Sequence, residues 1–107
     1  MRLRIYGDLL RLITLIRPDI GRIARHDADL ARQIRRAMSS GALNMAEAYR
    51  GRGRNRPARY QLSLGEMSEA KAATEVAVAW GYIEPLSDEA VDLFEKVIAT
   101  LVRLSRS

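Results

Sequence analysis

The chain has 107 residues, of which 48% are apolar and 29% are charged, a composition typical of one globular domain. It contains no cysteine, which excludes disulfides, thiolate metal sites and cysteine nucleophiles. Its apolar runs are too short to span a membrane and the N-terminus lacks the apolar core of a signal peptide, so we expect a cytoplasmic protein. The net charge of +5 is unevenly placed, because residues 1–36 and 50–59 each carry +5, whereas residues 37–49 carry −1 and residues 60–107 carry −4.

The first predicted helix covers about residues 3–25. Apolar residues recur there at helical spacing and keep their phase across Pro18, which lies on the outer face. The stripe consists of Ile5, Leu9, Leu12, Ile13, Ile16, Ile20, Ile23 and Ala24. We expect one helix bent near Pro18, and the alternative is two shorter helices that break at Arg17.

A second helix is predicted over about residues 28–49, capped by Asp27 or Asp29. Its inner stripe contains Gly41, and a glycine inside a helix costs about 1 kcal/mol relative to alanine. That cost predicts a neighbouring helix packed closely against this position. Leu43 falls on the opposite face, where it is either a lone exposed leucine or part of a partner surface.

The third helix is predicted over about residues 57–81, with Pro57 in its first turn and Gly81 at its C-terminal stop. It is apolar on two sides. One side carries Tyr60, Leu64, Met67 and Val78, and the other carries Leu62, Ala70, Ala73, Val76, Ala77 and Trp80. One small core needs only one apolar face, so the helix is either central or partly covered by a second subunit.

Ser87 can cap a fourth helix over about residues 88–105, which is clearly amphipathic. Its predicted inner residues are Ala90, Val91, Phe94, Val97, Ile98, Leu101 and Val102. Four helices of similar length with short connections predict an all-α, antiparallel, up-down-up-down four-helix bundle that forms one domain over residues 1–107.

Catalytic chemistry has little support in this sequence. The single histidine, His26, lies beside Asp27 and Asp29 and is interpreted as a helix-end imidazole rather than a metal ligand or base. Three carboxylates on the third helix are interpreted as solvated or paired with arginine: Glu66, Glu69 and Glu75. The alternating glycines and arginines at residues 51–54 lack the Lys–Ser/Thr pair of a P-loop. We therefore expect no enzyme activity, no cofactor and no metal.

The connection between the second and third helices is the densest basic segment of the chain. It carries Arg50, Arg52, Arg54, Arg56 and Arg59 and no acidic residue. Arginine offers a planar fork that suits phosphate, so this loop is the predicted nucleic-acid contact, with a merely solvated loop as the alternative. Tyr49 and Tyr60 flank it as the only candidates for stacking on bases.

Two further rows suggest contacts between helices or subunits. A polar row on the second helix consists of Arg36, Ser40, Asn44 and Glu47, and it predicts either a hydrogen-bonded network or a solvated edge. The predicted oligomer interface consists of Leu43, Leu62, Ala73, Val76 and Trp80.

Residues 33–83 also resemble a known family. The matching elements are "IRRA" (Ile34–Ala37), Ser40, "N-x-A-E" (Asn44–Glu47), the basic loop 50–56, "LG-x-x-x-E" (Leu64, Gly65, Glu69) and "WGY" (Trp80–Tyr82). Together they resemble the four-helix-bundle proteins encoded in 23S rRNA intervening sequences, a family that includes accessory variability determinants of diversity-generating retroelements. Ala48 departs from the glycine usual after the glutamate, which suggests that the second helix continues slightly further.

The resemblance implies a ring-shaped homo-oligomer, commonly a pentamer, without enzymatic activity. In the retroelement branch it implies a basic ring that works with a reverse transcriptase and its RNA. Three functions remain open at this point. They are a nucleic-acid-binding oligomer, a protein-binding scaffold or adaptor, and a structural oligomer in which basic segments pair with the acidic fourth helix of a neighbour.

Overall fold

Four α-helices surround one apolar core in the computed structural model, which describes residues 3–51 and 55–106. The helices are α1 (Arg4–His26), α2 (Ala28–Arg50), α3 (Asn55–Ala79) and α4 (Asp88–Ser105). Each helix packs against the next and α4 packs against α1, and the described residues contain no strand. The predicted all-helical four-helix bundle is therefore confirmed. None of the described helices is long and apolar enough to cross a membrane.

A single residue, Asp27, separates α1 from α2. Its backbone N–H donates to the carbonyl oxygen of Ile23 at 2.8 Å, which ends α1. Its carboxylate accepts from the backbone N–H of Leu30 at 3.0 Å, which caps α2. This decides between Asp27 and Asp29 as the capping residue. The alternative of two helices broken at Arg17 is wrong, because α1 continues through the exposed Pro18.

The ends of α3 and α4 follow the predicted signals. Pro57 lies in the first turn of α3, which begins two residues earlier at Asn55. Gly81 has a φ of 79°, and two backbone hydrogen bonds close the last turn of α3 around this left-handed residue. The Ser87 hydroxyl accepts from the backbone N–H of Ala90 at 3.2 Å and caps α4.

The closest helix contact in the core lies between α2 and α3 at Gly41. A Cβ atom at this position would lie 2.8 Å from the Sδ atom of Met67, a side chain with no exposed surface. The buried hydroxyl of Ser63 donates to the Gly41 carbonyl oxygen at 2.7 Å. The predicted close approach of a neighbouring helix at Gly41 is confirmed, and its partner is α3.

The buried faces of α1, α3 and α4 differ in detail from the predicted stripes. Ala24 of α1 is exposed. Val91 of α4 is 37% exposed while Leu93 is buried, because the buried arc of α4 is centred on Val97, between α1 and α3. Three alanines assigned to the second face of α3 lie in the core instead: Ala70, Ala73 and Ala77. Since α3 packs against both α2 and α4, its buried arc is wider than one stripe.

We expect Gly41→Val to lower the free energy of unfolding by about 2–3 kcal/mol, because the added methyl groups overpack a filled core. Gly65→Val is the matched control, since a Cβ atom at Gly65 would meet nothing within 4 Å. The control should be neutral or slightly stabilising, because valine has a higher helix propensity than glycine. Urea denaturation measures both variants, and equal losses would contradict the close contact.

Candidate nucleic-acid interface

The predicted phosphate-binding arginines lie at one end of the bundle. Arg50 is exposed in the last turn of α2, and Arg56 and Arg59 are exposed in the first two turns of α3. Arg52 and Arg54 lie outside the described residues. The structure therefore places three of the five arginines where α2 ends and α3 begins.

Two of these arginines also hold the helices together. The Nε atom of Arg56 donates to the carbonyl oxygen of Ala48 at 3.0 Å, so a cation satisfies a carbonyl at the negative end of the α2 dipole. An Nη1–H group of Arg59 donates to the Oδ1 atom of Asn44 at 3.1 Å. Neither bond was evident from the sequence, because each joins positions on opposite sides of the connection.

The tyrosines that flank the basic connection offer little surface for stacking. Tyr60 is 3% exposed and belongs to the core, and Tyr49 is half-buried. Tyr60, which the sequence also places on an apolar side of the third helix, is therefore a core residue and is not available for stacking. Its ring is already packed against the interior by the first turns of α3.

The fold adds further arginines to this end of the bundle. Because successive helices run in opposite directions, α1 begins and α4 ends where α2 meets α3. Arg4, Arg103 and Arg106 are exposed there. We call this the basic end, and it comprises the first seven residues of α1 and α3, the last seven of α2 and α4, and Arg106. Its described residues include six arginines and two carboxylates, a net charge of +4.

The opposite end of the bundle is close to neutral. It comprises the last seven residues of α1 and α3, the first seven of α2, and the connections Asp27 and 80–87. These described residues include four carboxylates and three arginines, a net charge of −1. The acidic start of α4 does not reach this end, because Glu89 pairs with Arg11 of α1 at 3.1 Å, 15 residues before α1 ends. The positive charge of the described helices is therefore concentrated at one end of the 43 Å bundle.

The polar row on α2 does not form the predicted network within one chain. The Nδ2 atom of Asn44 donates to the backbone carbonyl oxygen of Ser40 at 3.1 Å. Among the described residues, no hydrogen bond joins the side chains of Arg36, Ser40, Asn44 and Glu47 to one another. The only side-chain partner of Asn44 there is Arg59. The row is thus tied to the basic end through one arginine.

Exposed apolar side chains run along one side of the bundle. Leu62 and Val76 of α3 and Trp80, which directly follows α3, are 56%, 44% and 70% exposed, and Leu43 of α2 is 66% exposed. Ala73 is only 8% exposed, so it offers little area to a second subunit. We call the exposed row on α3 and at its end the outer seam, and it consists of Leu62, Val76 and Trp80. Positions 14 and 18 residues after Leu62 lie within about 40° of it around a helix axis, so these side chains share one face.

Aromatic rings stack at the end of the bundle opposite the basic end. The rings of His26 and Tyr82 are 4.9 Å apart and nearly parallel, and Trp80 stacks on Tyr82 at 6.4 Å. His26 thus joins the end of α1 to the connection after α3. In the part of the chain that the structure describes, no three His, Asp or Glu side chains are grouped as metal ligands.

We expect Arg56→Ala to lower the free energy of unfolding by about 1 kcal/mol, because a carbonyl of α2 loses its hydrogen bond. Arg50→Ala is the control, since it removes the same charge from an exposed position that has no hydrogen-bond partner in the described residues. Its effect should stay within about 0.5 kcal/mol. Equal effects in urea denaturation would mean that the Arg56 bond contributes nothing to stability.

No protein-family model, curated protein or solved structure matches this chain. The resemblance of residues 33–83 to the intervening-sequence family therefore stays a prediction.

Proposed function

We propose that this protein is a non-enzymatic, homo-oligomeric accessory protein that binds nucleic acid through phosphate. The contact residues are Arg50, Arg52, Arg54, Arg56 and Arg59. The observation that carries the proposal is the basic end, where arginines from separate segments collect with few carboxylates among them. Contacts of this kind position a protein on nucleic acid without reading its sequence.

Association of several copies strengthens the proposal, because one basic end presents only a few phosphate contacts. The outer seam and Leu43 supply exposed apolar surface that a second copy can cover. Repeating the basic end around an oligomer then adds weak contacts through multivalency. The family resemblance implies a pentameric ring, and it makes a reverse transcriptase with its RNA a candidate partner.

A salt titration tests the phosphate contacts. Affinity for duplex should fall as salt rises, with a log–log slope of about −0.9 for each neutralised phosphate. Replacing Arg50, Arg52 and Arg54 with glutamine should reduce the magnitude of that slope by up to about 2.7 for each copy whose loop contacts the duplex. Arg56 is kept, because its bond to Ala48 supports the fold.

The control replaces Arg17, Arg25 and Arg35 with glutamine, three exposed arginines away from the basic end. It removes the same charge and should leave the slope nearly unchanged. A slope that the loop variant does not alter would remove these residues from the interface. Equal changes in both variants would indicate a net-charge effect without a site.

Mass measurement in solution tests the oligomer. Leu62→Glu combined with Trp80→Glu should lower the mass to that of the monomer, because two like charges per subunit would enter an apolar contact. Leu10→Glu is the control, since Leu10 is 43% exposed but lies on α1. A wild-type monomer, or an oligomer that the double variant leaves intact, would contradict this interface.

A protein-binding scaffold or adaptor is the second candidate. The exposed Trp80 favours it, because large aromatic side chains are enriched in protein interfaces. Capture of a protein partner that survives nuclease and high salt would support the scaffold over nucleic-acid binding. Charge pairing between the basic N-terminal half of one copy and the acidic α4 of another is the third candidate. That assembly would dissociate as ionic strength rises.

A further inference from the structure

We propose that Arg4, Arg103 and Arg106 form a second phosphate-binding group, and that the whole basic end fits the backbone of a nucleic-acid duplex. The inference rests on the proposed function and extends it to residues outside the basic connection. All three arginines are exposed, and they come from the start of α1 and the end of α4. In sequence they lie more than 40 residues from the connection, and only the antiparallel bundle brings them to it.

Local helix stability does not account for Arg4. The first turn of α1 contains no acidic residue, and its N-cap residue, Leu3, makes no side-chain hydrogen bond. A cation there opposes the positive end of the helix dipole. The two helices that run in the opposite direction, α2 and α4, have caps and acidic residues in their first turns. A residue that breaks a local rule in this way is often kept for a function.

The guanidinium groups of this second group are available to a ligand. Arg103 uses one Nη2–H group to reach the Oγ1 atom of Thr100 at 3.1 Å, and its remaining N–H groups make no bond within the described residues. The side chains of Arg4 and Arg106 make none there either. All three guanidinium groups can therefore donate hydrogen bonds to phosphate oxygens, which match the forked geometry of a guanidinium.

The layout of the cations favours a duplex over a single strand. They come from all four helices and so spread over a cross-section of 25 × 18 Å, rather than following one groove. The longer side spans roughly seven base pairs at about 3.4 Å per pair. Single-strand sites stack bases on exposed rings, whereas the tyrosines near this end, Tyr6, Tyr49 and Tyr60, are half-buried or buried. The most exposed ring, Trp80, lies at the other end.

The test compares the wild-type protein with Arg4→Gln/Arg103→Gln/Arg106→Gln. The probes are a blunt RNA duplex, a DNA duplex of the same sequence and the corresponding single strands. On either duplex, the triple variant should reduce the magnitude of the log–log salt slope by up to about 2.7 for each bound basic end. The control is the Arg17, Arg25 and Arg35 glutamine variant, which has the same net charge and should keep the wild-type slope.

Each outcome decides between the inference and the function on which it rests. A wild-type protein without salt-dependent binding would end the proposed function itself. If the loop variant reduces the slope but the new triple variant does not, the inference fails and the proposed function stands. Equal reductions of the salt slope in the triple variant and its control would also overturn the inference.

Two further measurements test the inference. If single strands bind as tightly as duplexes, the proposal that the ligand is a duplex is wrong. If the triple variant does not fold by circular dichroism, Arg106→Gln alone replaces it, since Arg106 lies beyond the end of α4. That single change should reduce the slope by up to about 0.9 for each bound end, and an unchanged slope would refute the inference.

Discussion

The close contact between α2 and α3 fixes the register on which the rest of the molecule depends. A glycine at position 41 lets the two backbones approach, and the Ser63 hydroxyl bonds across the gap. With that pair set, Arg59 meets Asn44 and Arg56 reaches the end of α2. A shift by one residue would rotate all of these side chains by about 100° and separate them.

The same register decides which surface remains outside. Since α3 is held between α2 and α4, its alanines fill the core while Leu62, Val76 and Trp80 are left exposed. The outer seam runs along the side of the bundle, and the basic end lies across its axis. Association through the seam would therefore leave the basic ends of neighbouring copies uncovered. Oligomer formation and phosphate binding are compatible for this reason.

Charge in this protein is organised by the fold in a way that differs from its order along the chain. The sequence is basic toward its N-terminal half and acidic toward its C-terminal half. Antiparallel packing rearranges those charges, so that the end where α2 meets α3 receives one terminus of every helix. Arg103 and Arg106 lie in an otherwise acidic segment of the sequence, yet the fold makes them part of the basic end. A long-range field of this kind attracts phosphate before any specific contact forms.

The sequence was enough to predict the four helices, the Ser87 cap, the Gly81 stop and the close approach at Gly41. These depend on local rules, such as apolar spacing, a serine before a helix, and a glycine after one. Only the packing of the helices revealed the burial of Leu93 and the bond from Arg56 to Ala48. It alone also brought Arg4, Arg103 and Arg106 to the basic connection. The physical reason is that helix rotation and the grouping of helix ends arise from packing between distant segments, and no pattern within one segment records them.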